Sequence, residues 1–276
     1  MLVLEKLDTV KRPVKSNSTL GKWSRYDGNL VGGTLIGLGM ALSGACPGTV
    51  LVQLAQGIPS ASLTAAGAVL GARAYVKTKH LWTDMPECAG TPDLVARKAT
   101  ISEATRIPEL VVYVFFGVGI AAVLRFAQTE TTRSLVAPIF GGLLIGFAQT
   151  VSLLLTSSPL GASMVYEQLS RKITQVFEGD WTNLFLPHRS ISFSLGVITG
   201  STALLQRSSA PGYTSADASI PAMHAFVGGI VMAFGARLAG GCTSGHGLSG
   251  LSAMSFSSLV TVAGIFGAGS LTRSLM

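Results

Sequence analysis

VGGTLIGLGMALSGAC, residues 31–46, returns as VGGIVMAFGARLAGGC at residues 227–242, aligned without a gap at an offset of 196. Val31, Gly32, Gly33, Gly39, Leu42, Gly44 and Cys46 are identical to Val227, Gly228, Gly229, Gly235, Leu238, Gly240 and Cys242. Past the cysteines the register persists, with Leu63, Gly71 and Ala72 facing Leu259, Gly267 and Ala268. One apolar, glycine-rich unit used twice, with a cysteine closing each copy, predicts a single site built from two related halves. The repeat units extend over about residues 30–72 and 226–268.

The surrounding composition sets the solvent. Hydrophobic residues make up 48% of the chain and charged ones only 12%, with mean hydropathy +0.52. A soluble domain carries roughly 25% charged residues, so a membrane protein is expected. Uncharged runs cover 28–72, 110–124, 134–166, 190–206 and 238–272, and a helix needs about 20 apolar residues to cross the hydrocarbon layer. About seven crossings fit, near 30–45, 60–76, 109–127, 137–155, 189–205, 223–240 and 256–272. A lipid-facing barrel would alternate apolar and polar residues in segments of about ten, and these runs do not. The expected fold is all-α and polytopic, with inverted repeats and short broken helices meeting near the membrane centre.

Residues 1–28 form a polar, basic arm without the continuous apolar core of a secretory signal. Residues 29–276 are the membrane domain. Lys and Arg crowd the side of the N-terminus, which places that terminus in the cytoplasm and the chain in a cell (plasma or inner) membrane. The net charge of +7 thus reflects topology, and no nucleic-acid partner is implied. If five further crossings separate the first from the sixth, the two repeats run in opposite directions, as in transporters that bind their substrate between inverted repeats.

Each copy should break at its cysteine. Pro47 cannot continue the helix, and Gly240, Gly241, Gly245 and Gly247 permit unusual dihedrals. Non-helical backbone at membrane depth requires a cavity or protein partners. Gly32, Gly33, Gly228 and Gly229 are read instead as helix-packing residues. A weaker third copy, residues 141–163, carries Ser157, Ser158 and Pro159 where the others carry cysteine. Three breaks would converge Cys46, Pro47, Gly48 and Thr49, Ser157 and Ser158, and Cys242, Thr243, Ser244 and His246 on one constriction, with free N–H groups on the half-helices beyond.

Arg237 sits alone in an apolar segment with no acid near it in sequence, so an anionic substrate or the membrane interface is its partner. His246 is a proton acceptor, a hydrogen-bond donor, or a cavity residue held by carbonyls. Cys46, Cys242 and His246 are too few and too widely spaced for a zinc centre, and no metal or other cofactor is implied. Three cysteines without a CxxC pair support no disulfide framework. A neutral thiol is a weak, polarisable donor suited to a sulfur-bearing anion.

GLGMALSGACPGT (37–49) and GARLAGGCTSGHGLSG (235–250) resemble the sulfur-transport, or YeeE/YedE, family of integral membrane proteins. The resemblance implies an inverted-repeat bundle, thiosulfate uptake, and Cys46 and Cys242 on the substrate path, handing the ion along by S–H contacts. It also implies a cytoplasmic sulfur-accepting protein as partner. A further cysteine of the family pathway has no clear counterpart, since Cys88 lies in a polar loop and the third copy has serines. The reading is a transporter or channel and not an enzyme; without a GxxxxGK[ST] run, ATP is not the direct energy source. Two rivals remain: a membrane sulfurtransferase in which a cysteine holds a persulfide, and a non-transporting scaffold or redox sensor with Cys88 as its exposed thiol.

Overall fold

A computed structural model describes residues 14–15, 17–18, 20, 24–83, 100–127, 138–156, 162–178, 189–207 and 220–276. Among these the chain is helical and has no strand, only an isolated bridge between Thr100 and Ser255. The helices are α1 (Asp27–Ser43), α2 (Thr49–Ala55), α3 (Pro59–Thr83), α4 (Ile101–Thr105), α5 (Glu109–Ala127), α6 (Pro138–Thr156), α7 (Met164–Glu178), α8 (Arg189–Arg207), α9 (Ala222–Leu238), a short helix of π geometry, π1 (Ser244–Gly250), and α10 (Phe256–Leu275). The seven apolar stretches of the sequence coincide with α1, α3, α5, α6, α8, α9 and α10.

The sequence repeat is a structural repeat. Long helix, short helix, long helix occurs twice, as α1–α2–α3 and α9–π1–α10, with starts 195, 195 and 197 residues apart (27 and 222, 49 and 244, 59 and 256). Both first helices end where the sequence breaks them. Gly44 closes α1 in the left-handed conformation (φ 65°), its N–H bonded to Met40 O at 2.9 Å, and Gly240 follows α9 with φ 77°. A residue with a Cβ is strained there, whereas glycine is not.

Glycines also fix how the copies meet. A Cβ on Gly32 would lie 2.7 Å from Gly235 O, and one on Gly235 the same distance from Gly32 O; one on Gly39 would lie 2.6 Å from Gly228 O, and one on Gly228 2.8 Å from Gly39 O. Gly32 and Gly39 correspond to Gly228 and Gly235 through the repeat, so α1 and α9 cross antiparallel about a local two-fold axis, backbone against backbone. Gly33 rests on Thr261 while Gly229 rests on Thr64, and thus α1 runs parallel to α10 and α9 parallel to α3. The packing role expected of these glycines is what they have. Ile36, Met232, Ala236 and Ile265 fill the centre with Ala45, Val50 and Cys242 from the two breaks.

α7 packs on α3, and α8 on α2 and α7. Farther out, α6 reaches the core through Leu153, buried, and Gln149, which donates to Ser249 Oγ at 3.2 Å. Val114, Phe115 and Val118 of α5, and Phe140, Leu143 and Phe147 of α6, project outward. Such a continuous apolar exterior marks a surface that water does not face. No helix among the described residues combines the length and apolarity to cross a membrane by itself. α1 and α9 are 17 residues each and rich in glycine.

Candidate functional site

The two breaks turn back into the bundle and approach each other. Ala239 N lies against Gly32, near the start of α1, yet four residues later the Thr243 hydroxyl donates to Met40 Sδ at 3.3 Å. Between them the chain makes a tight turn, with Gly240 N bonded to Arg237 O at 3.2 Å and Gly241 N to Ala236 O at 2.9 Å, and the long Met40 side chain reaches the loop beyond it. On the other side Pro47 O accepts from the buried Tyr166 hydroxyl at 2.6 Å. Between the breaks lie Ala162 and Ser163. A Cβ on Gly48 would stand 3.7 Å from Ala162 Cβ and 3.8 Å from Cys46 Sγ, and Ala162 N donates to Ser244 Oγ at 3.5 Å.

Each thiol opens a short helix. Cys46 Sγ, half-buried, accepts from Thr49 N at 3.3 Å and Thr49 Oγ1 at 3.4 Å. Thr49 Oγ1 in turn accepts from Cys46 N at 2.7 Å, locking the turn from both ends. Cys242 is fully buried, with its Sγ 3.1 Å from Ser244 Oγ and in hydrogen-bonding reach of Ser163 and the N–H groups of Ser244 and Gly245. This corrects one expectation. The first-turn amides are not free donors awaiting an anion, because the sulfurs already occupy them.

Ser163 is a residue that sequence reading did not single out. It closes the third copy, and its place beside Cys242 fills the role expected of Ser157 and Ser158, which lie outside the described residues along with Cys88. The convergence of hydroxyls on the thiols therefore rests on Thr49, Ser163, Thr243 and Ser244.

Arg237 has a partner within the protein. Its guanidinium meets Glu167 at 2.6 Å, both side chains largely buried, and donates to Met164 Sδ at 3.0 Å. Arg171 binds the same carboxylate at 2.8 Å. Neither the substrate nor the membrane interface is needed to hold Arg237, and the correction comes from an acid 70 residues away (237 − 167) on α7. Two guanidiniums on one carboxylate leave this corner with one net positive charge.

His246 is likewise committed. Its Nε2 lies 3.1 Å from Ala239 O, which only accepts, so Nε2 carries the proton; Nδ1 then accepts from Ser258 Oγ at 2.9 Å. With both nitrogens occupied and the ring fully buried, His246 is a strut that ties the Cys242 loop to α10. That is the carbonyl-held alternative of the sequence reading; the proton-acceptor and substrate-contact alternatives find no free nitrogen. Lys15, from the N-terminal arm, adds a cation: its Nζ donates to Gly240 O at 3.2 Å. Burial lowers its pKa below the ordinary lysine range, with Cys242 opposing and Arg237 reinforcing the shift.

Two antiparallel copies of one helical unit, each followed by a short cysteine-headed helix, meet at a common centre. The comparisons supply the class. The sulphur transport family model matches residues 19–272, and the chain belongs to that family. It is 26% identical over 252 residues to the thiosulfate transporter TsuA of Spirochaeta thermophila, covering 84% of this chain and 72% of that one. Two probable transporters from strains of Xylella fastidiosa are each 30% identical over 142 residues, half of this chain and 93% of theirs.

Proposed function

We propose that this protein carries thiosulfate or a related sulfur-containing anion across a membrane, inward, along a path through Cys46 and Cys242. The observation that carries the reading is the hydrogen-bond polarity of the thiols. Cys46 Sγ accepts from Thr49 N and Thr49 Oγ1 in the first turn of its short helix, which leaves its S–H available to a passing acceptor, while Cys242 Sγ shares with Ser244 Oγ a hydrogen bond in which either atom can donate. A thiol donor is weak and its sulfur polarisable. It therefore favours a terminal sulfur over a strongly hydrated oxyanion, and it holds the ion loosely enough to release it.

The second observation is charge. Among the described residues, Arg237 and Arg171 on Glu167 together with Lys15 give the surroundings of the thiols an excess of cations, which lowers the cost of drawing an anion out of water. Pro47, Gly48 and Thr49 shape the Cys46 turn, and Thr243, Ser244 and Ser163 shape the Cys242 turn. The seven apolar helices are read as the crossings, with the N-terminus cytoplasmic. The bilayer and the sulfur anion are the partners the site requires; a cytoplasmic acceptor of the sulfur is the further partner the family implies.

Uptake of radiolabelled thiosulfate into proteoliposomes tests the reading, with sulfate as competitor. The expected result is uptake that sulfate barely inhibits and that Cys46→Ala or Cys242→Ala abolishes. A mass increase of one sulfur on either cysteine after exposure to thiosulfate would instead identify a sulfurtransferase.

A further inference from the structure

The N-terminal arm is fastened to the Cys242 end of the bundle at several levels. Lys15 O accepts from the hydroxyls of Ser255 and Ser257 at 3.2 and 3.1 Å. Ser18 N donates to Asn29 Oδ1 at 2.7 Å, its hydroxyl donates to Leu238 O, and Leu20 N donates to Asp27 Oδ1 at 2.6 Å. Gly28 makes room for this contact, since a Cβ there would stand 2.6 Å from Ser18 Oγ. The backbone at Lys15 is thus held by the turn before α10 and the first turn of α10, and the arm just after it by α1 and α9.

What it fixes is an ammonium group against the cysteine loop. Lys15 Nζ donates to Gly240 O at 3.2 Å, and it would lie 3.1 Å from a Cβ on Gly241 and 3.7 Å from one on Gly245. It therefore contacts the loop on both sides of Cys242. Among the described residues no carboxylate pairs with it; the ion pairs there belong to Glu167. An ammonium has three donors, and Gly240 O takes one. A half-buried cation beside the Cys242 loop, without a carboxylate partner among the described residues, is complementary to a doubly charged anion. Lysine suits the task of transient capture, being a compact charge on a flexible stem without the bidentate grip of arginine.

We infer that Lys15 is an anion-binding residue of the pathway: the N-terminal arm lends its ammonium to the Cys242 end of the site, where it pairs with a divalent sulfur-containing anion. The inference rests on the function proposed above and adds to it a residue outside both repeats.

Thiosulfate uptake as a function of concentration tests it, in proteoliposomes carrying wild type, Lys15→Met, Lys15→Gln or Lys15→Arg. Loss of one charge-assisted hydrogen bond predicts that Met and Gln raise the half-saturating concentration about tenfold or more, with the maximal rate within about threefold. Arg keeps the charge and should hold half-saturation within about threefold of wild type or below it, with a lower maximal rate from its bidentate grip. A double variant, Ser255→Ala with Ser257→Ala, keeps the charge but releases the backbone, and should raise half-saturation without lowering the maximal rate. An unchanged half-saturation in Lys15→Met and Lys15→Gln overturns the inference, as does faster uptake at every concentration, which would make the arm a plug. If wild type itself takes up no thiosulfate, the transport reading fails; uptake that ignores Lys15 fails this inference alone.

Discussion

The Cys46 and Cys242 loops start from the same sequence and end in different surroundings. The contacts to the Cys46 sulfur are local: Thr49, three residues on, supplies both, and the thiol stays half-exposed. Cys242 is sealed by distant elements, with Ser163 from before α7, His246 pinned to Ser258 on α10, and Lys15 from the arm. The following helix is α in the first copy and π in the second. A duplicated unit has acquired an open end and an enclosed one. The asymmetry is one of access and charge: one thiol is half-exposed, and the other is enclosed beside the Lys15 ammonium.

The shared part of the comparison should break hardest. Gly32→Leu or Gly235→Leu forces a side chain between α1 and α9, where no backbone can yield, and overpacking of this kind costs about 3 kcal/mol or more. Neither should yield monodisperse protein on size exclusion in detergent. Gly117→Leu on α5, where a Cβ meets nothing within 4 Å, should behave as wild type.

Next comes the ion pair on which the enclosed half leans. Glu167→Gln leaves Arg237 buried without its partner and should destabilise by about 3 kcal/mol. In a thermal-melt double-mutant cycle, Arg237→Met with Glu167→Gln should recover part of that loss. Strict additivity would mean that Arg237 serves something other than Glu167.

His246→Ala leaves the Ser258 hydroxyl and the Ala239 carbonyl without their partner in a closed interior, a loss of about 2 kcal/mol. His246→Gln should retain both fold and uptake if the ring is a strut. A folded Gln variant without transport would return His246 to the chemistry.

The mildest test reads the asymmetry itself. A membrane-permeant maleimide should label Cys46 about tenfold or more faster than Cys242, because reaction requires access as well as thiolate. Thr49→Val removes the hydroxyl contact to Cys46 at a cost of about 1 kcal/mol and should shift only the Cys46 rate.

Much of this architecture was legible in the chain. The offset of 196, Pro47, and the glycines before each cysteine located the repeat, the breaks and the short helices beyond them, because helix termination is local chemistry. The antiparallel crossing followed from counting spans. What escaped was every partner distant in sequence. Glu167 could not be assigned to Arg237 across 70 residues, nor Ser258 and Ala239 to His246, so an arginine without visible counter-ion and a histidine in a polar run both looked available for substrate. Ser163 went unmarked beside the more conspicuous Ser157 and Ser158. Lys15 was one basic residue among many in an arm whose charges topology already explained. Satisfaction of polar groups is a tertiary property, and the repeat signals geometry without signalling which groups it leaves free.

The central claim is that an anion passes from one thiol to the other. Its most direct test is thiosulfate uptake by proteoliposomes containing Cys46→Ala and Cys242→Ala, each confirmed as folded by size exclusion. Transport near background in both variants, with sulfate a poor competitor in wild type, is the predicted result. Wild-type uptake rates in either folded variant would contradict the cysteine path.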